Sequence, residues 1–140
     1  MEPSLMFLGL TAKAGHLTVG EESCGIDARA KKAKLIITAS DASQNSITRA
    51  DNFSRTAKAP HIVLPFTKAE LGNVIGRGTP GMLAITDIGM ASAFVNKLSA
   101  ENPGRYDEVS AVLQQSVERS RKRKLEKKRH EENVRHGKKK

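Results

Sequence analysis

The stretch Leu35-Ile36-Ile37-Thr38-Ala39-Ser40-Asp41-Ala42-Ser43, residues 35–43, decides the fold. Its first five residues form a nearly continuous apolar run rich in β-branched side chains, which is typical of a strand buried on both faces. Asp41-Ala42-Ser43 then leads into a helix that we expect to run from Gln44 to about Lys58, where Pro60 ends it. Because such a strand needs helices above and below its sheet, the stretch predicts an α/β fold.

The same alternation of strand and helix extends in both directions along the chain. Three further strands are predicted, at His16–Val19, His61–Leu64 and Met82–Thr86. Four further helices are predicted. The first runs from Leu5 to Ala12, with Ser4 as its cap and Gly15 as its stop, and the second runs from Glu21 to Lys32. The third begins at the capping box of Thr67 and Glu70 and ends at Gly76, and the fourth runs from Ile88 to Leu98. The sequence therefore predicts one α/β domain in residues 1–99, which the breaker Asn102-Pro103-Gly104 follows.

Charge is concentrated at one end of the chain. Residues 1–118 contain 12 Lys and Arg against 12 Asp and Glu, whereas residues 119–140 contain 12 against three, so the whole net charge of +9 lies in this basic tail. A basic terminal block most often contacts a polyanion, and Arg121, Lys122, Arg123 and Lys124 are its candidate phosphate contacts. The tail has too few apolar residues to form a core. It is either a solvated helix with pairs such as Lys122–Glu126 or a segment that stays disordered until it binds.

Residues 100–118, between the domain and the tail, form a linker and an amphipathic helix. Val109, Val112, Leu113 and Val117 recur there at helical spacing. This narrow apolar stripe is expected to dock either on the body or on a partner, and the sequence leaves both alternatives open.

Several classes of function lack their signatures. The four His are scattered and Cys24 is the single cysteine, so neither a metal site nor an internal disulfide is indicated. Cys24 is interpreted as a small buried side chain in a reducing compartment. No cofactor loop or nucleophile–base pair is present, which favours a protein that is not an enzyme and needs no cofactor. The apolar start, residues 5–10, is too short for a signal peptide or a membrane span, and we expect a cytoplasmic protein.

Two loops and one lysine cluster are candidate contacts for a ligand. Arg77-Gly78-Thr79-Pro80-Gly81 is a tight loop whose glycines permit close backbone approach, although it lacks the ending of a phosphate-binding P-loop. Gly20-Glu21-Glu22-Ser23 opens a helix, and its carboxylates either balance the helix dipole or accept hydrogen bonds from bases. Lys31, Lys32 and Lys34, with Lys13, are either a solvated corner or phosphate contacts beside the two loops.

The chain resembles the ribosomal L-seven-Ae/L-thirty-e family, and specifically its bacterial YlxQ-type branch. The resemblance covers residues 5 to about 98 and depends on the order and spacing of short motifs. These are Leu8-Gly9-Leu10-Thr11-Ala12-Lys13-Ala14-Gly15, Gly20-Glu21-Glu22, Lys32-Ala33-Lys34-Leu35-Ile36-Ile37, Ala39-Ser40-Asp41-Ala42-Ser43, Glu70-Leu71-Gly72 and Ile75-Gly76.

The resemblance implies a three-layer α/β/α sandwich with a mixed four-stranded sheet. It also implies binding to structured RNA, typically a kink-turn, between the loop at Gly20 to Cys24 and the loop at Gly76 to Gly81. The family's first loop usually reads Gly-x-Asn-Glu, and its Asn and Glu read guanines of sheared G·A pairs. In this chain those two positions hold Glu22 and Ser23, so the signature is altered. The tail lies outside the resemblance.

Two hypotheses follow from the sequence. The first is a non-enzymatic RNA-binding protein, ribosomal or ribosome-associated, which recognises a folded RNA through the two loops and adds phosphate contacts through the tail. It is expected to be a monomer without a membrane partner. The alternative is a protein-interaction or substrate-recognition module of the same fold, which the stripe from Val109 to Val117 favours.

Overall fold

The computed structural model describes residues 1–137, with side chains to residue 134. Its strands are β1 (Leu17–Val19), β2 (Leu35–Thr38), β3 (His61–Val63) and β4 (Met82–Ile85). Its helices are α1 (Pro3–Lys13), α2 (Glu21–Arg29), α3 (Gln44–Ala57), α4 (Lys68–Ile75), α5 (Ile88–Glu101) and α6 (Asp107–Gly137). The strands form a mixed sheet in the order β1-β4-β2-β3, in which only β2 and β3 are parallel.

Helices cover both faces of the sheet, as the sequence predicts. Alternate residues of β2 separate into two cores: Leu35 and Ile37 pack in a large cluster with residues of α1, α4 and α5, while Ile36 packs in a smaller cluster with residues of α2 and α3. Period-two alternation of a continuous apolar strand thus supplies two layers at once. The α/β fold predicted from residues 35–43 is confirmed.

The ends of the elements differ in detail from the sequence-based prediction. Each strand was predicted one residue too long. The residues beyond three of the strand ends still donate backbone hydrogen bonds to a neighbouring segment, at Ala39, Leu64 and Thr86. Helix α2 ends at Arg29 and not at Lys32, because Lys31 adopts the left-handed conformation (φ 61°).

The predicted cap of the first helix is wrong. Helix α1 begins at Pro3, whose fixed φ suits a first helical position, and Glu2 is the N-cap. Ser4 lies inside the helix and is buried. Its Oγ donates to Oε1 of Glu101 at 2.5 Å and its backbone N–H donates to Oε2 at 2.8 Å. This contact anchors the end of α5, which extends three residues beyond Leu98.

Helix α6 joins the amphipathic segment and the basic tail in one continuous element. Leu113 is 1% exposed in the large core, and Val109 packs against that core. Tyr106 precedes the helix and donates from its hydroxyl to the carbonyl of Val63 at 2.7 Å. Of the two alternatives left open for the stripe, docking on the body is therefore observed.

Candidate functional site

The two candidate loops meet at one end of the sheet. Strand β1 is antiparallel to β4, so the residue after β1 lies beside the start of β4. The N–H of Gly20 donates to the carbonyl of Met82 at 3.0 Å, and the adjacent carbonyl of Gly81 accepts from Ala39 at 3.0 Å. We call this end, formed by residues 20–24 and 76–81, the loop face.

The loop at residues 76–81 is held by close packing of backbone. Helix α4 begins with the predicted capping box of Thr67 and Glu70 and ends at Gly76, which has φ 89°. A Cβ on Gly72 would lie 1.8 Å from the carbonyl oxygen of Gly78, so this contact requires glycine. Arg77, Gly78 and Thr79 are exposed, while Pro80 is half-buried. The loop therefore presents backbone and the Arg77 side chain to a ligand.

The first turn of α2 contributes one fixed carboxylate and one free one. Glu21 accepts from Ser46 Oγ and, at 2.7 Å, from Arg49 Nη1, both on α3. The Ser46 hydroxyl, and after it the Arg49 guanidinium, hold the pKa of Glu21 below its usual value. Glu22 and Ser23 are exposed. Glu21 thus positions the turn, while Glu22 and Ser23 are available to a ligand.

Sequence reasoning missed the neighbours that support this face. Ser46 and Arg49 lie 25 and 28 residues from Glu21 along the chain, and no local pattern pairs them. Asp41, in the loop after β2, accepts from the N–H of Lys68 at 2.8 Å and joins the start of α4 to the same sheet end. These three residues follow β2, and they lie at the loop face because β2 runs antiparallel to β4. The sequence does not indicate this strand direction.

The lysine cluster does not lie beside the two loops, as its phosphate interpretation required. Lys34 donates its N–H to the carbonyl of Ile85, at the end of β4, and Lys31 and Lys32 border the same depression together with Gly15. Lys13 is exposed in the last turn of α1, just before Gly15. All four lysines lie at the opposite end of the sheet, about 13 Å away for a four-residue strand. The antiparallel pairing of β4 with β1 and β2 causes this separation.

The tail residues Arg121, Lys122, Arg123 and Lys124 lie on α6 and are exposed. This part of the tail is helical. The expected Lys122–Glu126 pair is not observed among residues 1–134, where Glu21 forms an ion pair with Arg49. Residues 138–140 of the basic tail lie outside the described residues.

Other candidate chemistry is sparse in the part of the chain that the structure describes. Cys24 is fully buried, as predicted, and burial, followed by the charges of Asp27 and Glu21, raises its pKa to about 12. Residues 1–134, whose side chains the structure describes, hold no group of three His, Cys, Asp or Glu that could bind a metal ion. Within the same residues, no helix combines the length and the apolar character that a membrane crossing requires.

Comparison with known proteins places the chain in a family. No protein-family model matches it. The RNA-binding protein YlxQ of Enterococcus faecium is 33% identical over 90 residues, which are 64% of this chain and 85% of that protein. The RNA-binding protein YlxQ of Bacillus subtilis (strain 168) is 30% identical over 95 residues, which are 65% of this chain and 90% of that protein.

Two solved structures share the fold. A protein of unknown function from Bacillus halodurans C superposes with a TM-score of 0.65 at 23% identity, over 71% of this chain and 99% of that one. The Giardia lamblia 15.5kD RNA binding protein superposes with a TM-score of 0.54 at 18% identity, over 69% of this chain and 84% of that one. With sequence relatives that are matched over most of their length, the chain belongs to the YlxQ-type branch of the L-seven-Ae/L-thirty-e family.

Proposed function

We propose that the protein binds structured RNA of the kink-turn class through the loop face and catalyses no reaction. The observation that carries the proposal is the apposition of two exposed loops at one end of the sheet, where the N–H of Gly20 donates to the carbonyl of Met82, the residue that follows the second loop. The names of the two YlxQ relatives support RNA as the ligand. Bases that are splayed or sheared in an internal loop present edges that such a cleft can contact, whereas paired bases in an RNA duplex do not.

Each part of the loop face has a role in this proposal. Glu22 accepts hydrogen bonds from base N–H groups, and Ser23 donates or accepts beside it. Arg77 contacts phosphate, and the backbone of Gly78 and Thr79 approaches the RNA closely. Glu21, fixed by Ser46 and Arg49, holds the turn that carries Glu22.

The basic tail adds affinity that does not depend on sequence. Arg121 to Lys124 and the cations that follow them contact phosphates, and the release of condensed counterions stabilises the complex. Ribosomal RNA is the abundant structured RNA that such a protein would meet in the cytoplasm. The apolar stripe gives less support to the alternative of a protein-interaction module, because Leu113 packs in the body of this protein, while Val112 stays exposed.

The test is the affinity of Glu22→Gln for a kink-turn RNA and for the same RNA with its G·A pairs replaced by Watson–Crick pairs. The loss of a base contact is expected to weaken kink-turn binding by about 1–3 kcal/mol, roughly 5- to 150-fold, and to leave the paired RNA unaffected. Electrostatics alone predicts the opposite sign, because removing an acid favours RNA.

Glu108→Gln is the matched control, since Glu108 is also an exposed acid in the first turn of a helix. Equal affinities of Glu22→Gln and Glu108→Gln for the kink-turn RNA would refute the role of Glu22. Equal affinity of the unmodified protein for the two RNAs would refute recognition of the kink-turn itself.

A further inference from the structure

A group of cations surrounds the end of the sheet that lies away from the loop face. Two shallow depressions meet there and share Lys34 as a wall, so they form one continuous surface. We call this surface the basic corner. Its cations are Lys31, Lys32, Lys34, Lys58, Arg119 and Arg123.

Three separate elements bring these cations together. Lys31 and Lys32 follow α2, Lys58 caps α3 in the left-handed conformation (φ 55°), and Arg119 and Arg123 lie one turn apart on α6. Lys31 donates from Nζ to the carbonyl of Thr56 near the end of α3. Helix α6 therefore passes the starts of β2 and β3 with its first basic turn against the body.

The basic corner contains more cations than are needed to balance the helix dipoles and the acid beside them. Lys31 and Lys58 stand at helix C-termini, where a cation balances the helix dipole. Among the described residues, Asp27 is the single acid that lines the two depressions, and it accepts from Thr18. Within residues 1–134, none of the corner's cations forms an ion pair. The charges of Lys32, Arg119 and Arg123 are thus not neutralised by an ion pair among the described residues.

The basic corner continues directly into the projecting part of α6. Residues 121–134 are all exposed, so the helix leaves the body after its last contacts near Arg123. Residues 124–134 extend about 16 Å at the rise of an α-helix. Between Arg119 and residue 134 the apolar side chains are Leu125 and Val134, too few for the buried face of a membrane-bound helix. The row of cations from the basic corner along the projecting helix suits the row of negative charges on a phosphate backbone.

We propose that the basic corner and the projecting helix form a second RNA-binding surface, which binds the phosphate backbone of a duplex segment separate from the RNA held by the loop face. The two surfaces lie at opposite ends of the sheet, so one molecule holds two RNA segments together. The choice of RNA rests on the proposed function, whereas the location and charge of the surface do not. Double-stranded RNA suits such a surface because proteins recognise it through backbone and shape more than through base edges.

The first measurement is binding of an RNA duplex of about 16 base pairs, a length that one RNA-binding domain spans, by the full chain over a salt series. Arg119→Gln/Arg123→Gln is expected to make the slope of log K against log salt shallower by about two, since about 0.9 counterion is released per phosphate contact. Lys97→Gln/Arg105→Gln is the control, because it removes the same charge from exposed residues away from the corner. Equal slopes for the two double variants would overturn the proposal.

The second measurement is simultaneous binding of this duplex and a short-stemmed kink-turn RNA, each with its own fluorophore. A complex with one copy of each RNA is expected, and Arg119→Gln/Arg123→Gln is expected to lose the duplex while it keeps the kink-turn RNA. Displacement of one RNA by the other would overturn the second surface and leave the loop-face proposal standing. Equal affinity of the unmodified protein for the kink-turn RNA and for its Watson–Crick counterpart would instead refute the loop-face proposal alone.

Discussion

At the scale of single residues, Gly72 shows how the loop face is built. It lies in α4, where alanine normally stabilises a helix by about 1 kcal/mol relative to glycine. A Cβ at this position, however, would lie 1.8 Å from the carbonyl oxygen of Gly78. Gly72→Ala is therefore expected to lower the free energy of unfolding by about 1–3 kcal/mol and to displace the loop at residues 76–81. Urea unfolding measures the first effect, and kink-turn affinity of the folded variant measures the second.

Gly81→Ala is the control for this prediction. Gly81 belongs to the same loop, but a Cβ there would meet only Lys68 Cδ at 3.8 Å, an ordinary contact. The free energy of unfolding of Gly81→Ala is expected to equal that of the unmodified protein or to exceed it slightly, since alanine restricts the unfolded chain. If Gly72→Ala is as stable as Gly81→Ala, the close approach of α4 to the loop is wrong.

The two glycines also show the limit of sequence reasoning at this scale. Both stand in or near a glycine-rich loop, and nothing in the local sequence indicates that one forbids a side chain while the other tolerates it. The same holds for Glu21, whose partner Arg49 lies 28 residues away. Residues could be assigned to the candidate loops from sequence, but their contacts depend on distant chain segments.

At the scale of elements, helix α6 combines two different kinds of sequence. Its first part packs on the body through Leu113, which is 1% exposed, while its second part includes Leu125, which is 56% exposed. Leu113→Ala is expected to lower the free energy of unfolding by about 2–5 kcal/mol, the range for a buried leucine. Leu125→Ala is expected to change it by less than about 0.5 kcal/mol. Thermal or urea unfolding of the full chain distinguishes them, and similar losses would contradict the docking of α6.

The order and type of the elements could be predicted because each has a local cause. The apolar run in β2 and the capping box of Thr67 and Glu70 are such causes, and both are observed. The end of α2 could not be predicted, because a lysine in the left-handed conformation at position 31 carries no local signal. For α6, the sequence left helix and disorder open.

At the scale of the whole molecule, the sheet holds the two candidate loops and most of the clustered cations at opposite ends. The order β1-β4-β2-β3 puts the two loops at one end, while the lysine cluster and the basic turns of α6 lie at the other. The sequence shows that the body is neutral and the tail basic, but the strand directions decide where each feature lies. Of the two alternatives for the lysines, the one that places them beside the two loops is wrong for this reason.

This separation predicts that removal of residues 119–140 weakens binding to every RNA that carries a duplex segment by the same factor, whether or not it contains a kink-turn. The deletion removes 12 of the 24 Lys and Arg and leaves in place Leu113, which packs in the core, and Val109, which packs against it. We assume that the tail makes about six phosphate contacts with duplex RNA and take the counterion release per contact from duplex DNA. The slope of log K against log salt is then steeper by about five for the full chain than for the shortened chain.

The preference for a kink-turn RNA over its Watson–Crick counterpart is expected to stay constant, because base contacts specify and phosphate contacts position. Salt titrations of both chains with both RNAs measure slope and preference together. An unchanged slope would remove the tail from the binding surface, whereas a lost preference would place part of the specificity in the tail and contradict the division between the two ends of the sheet.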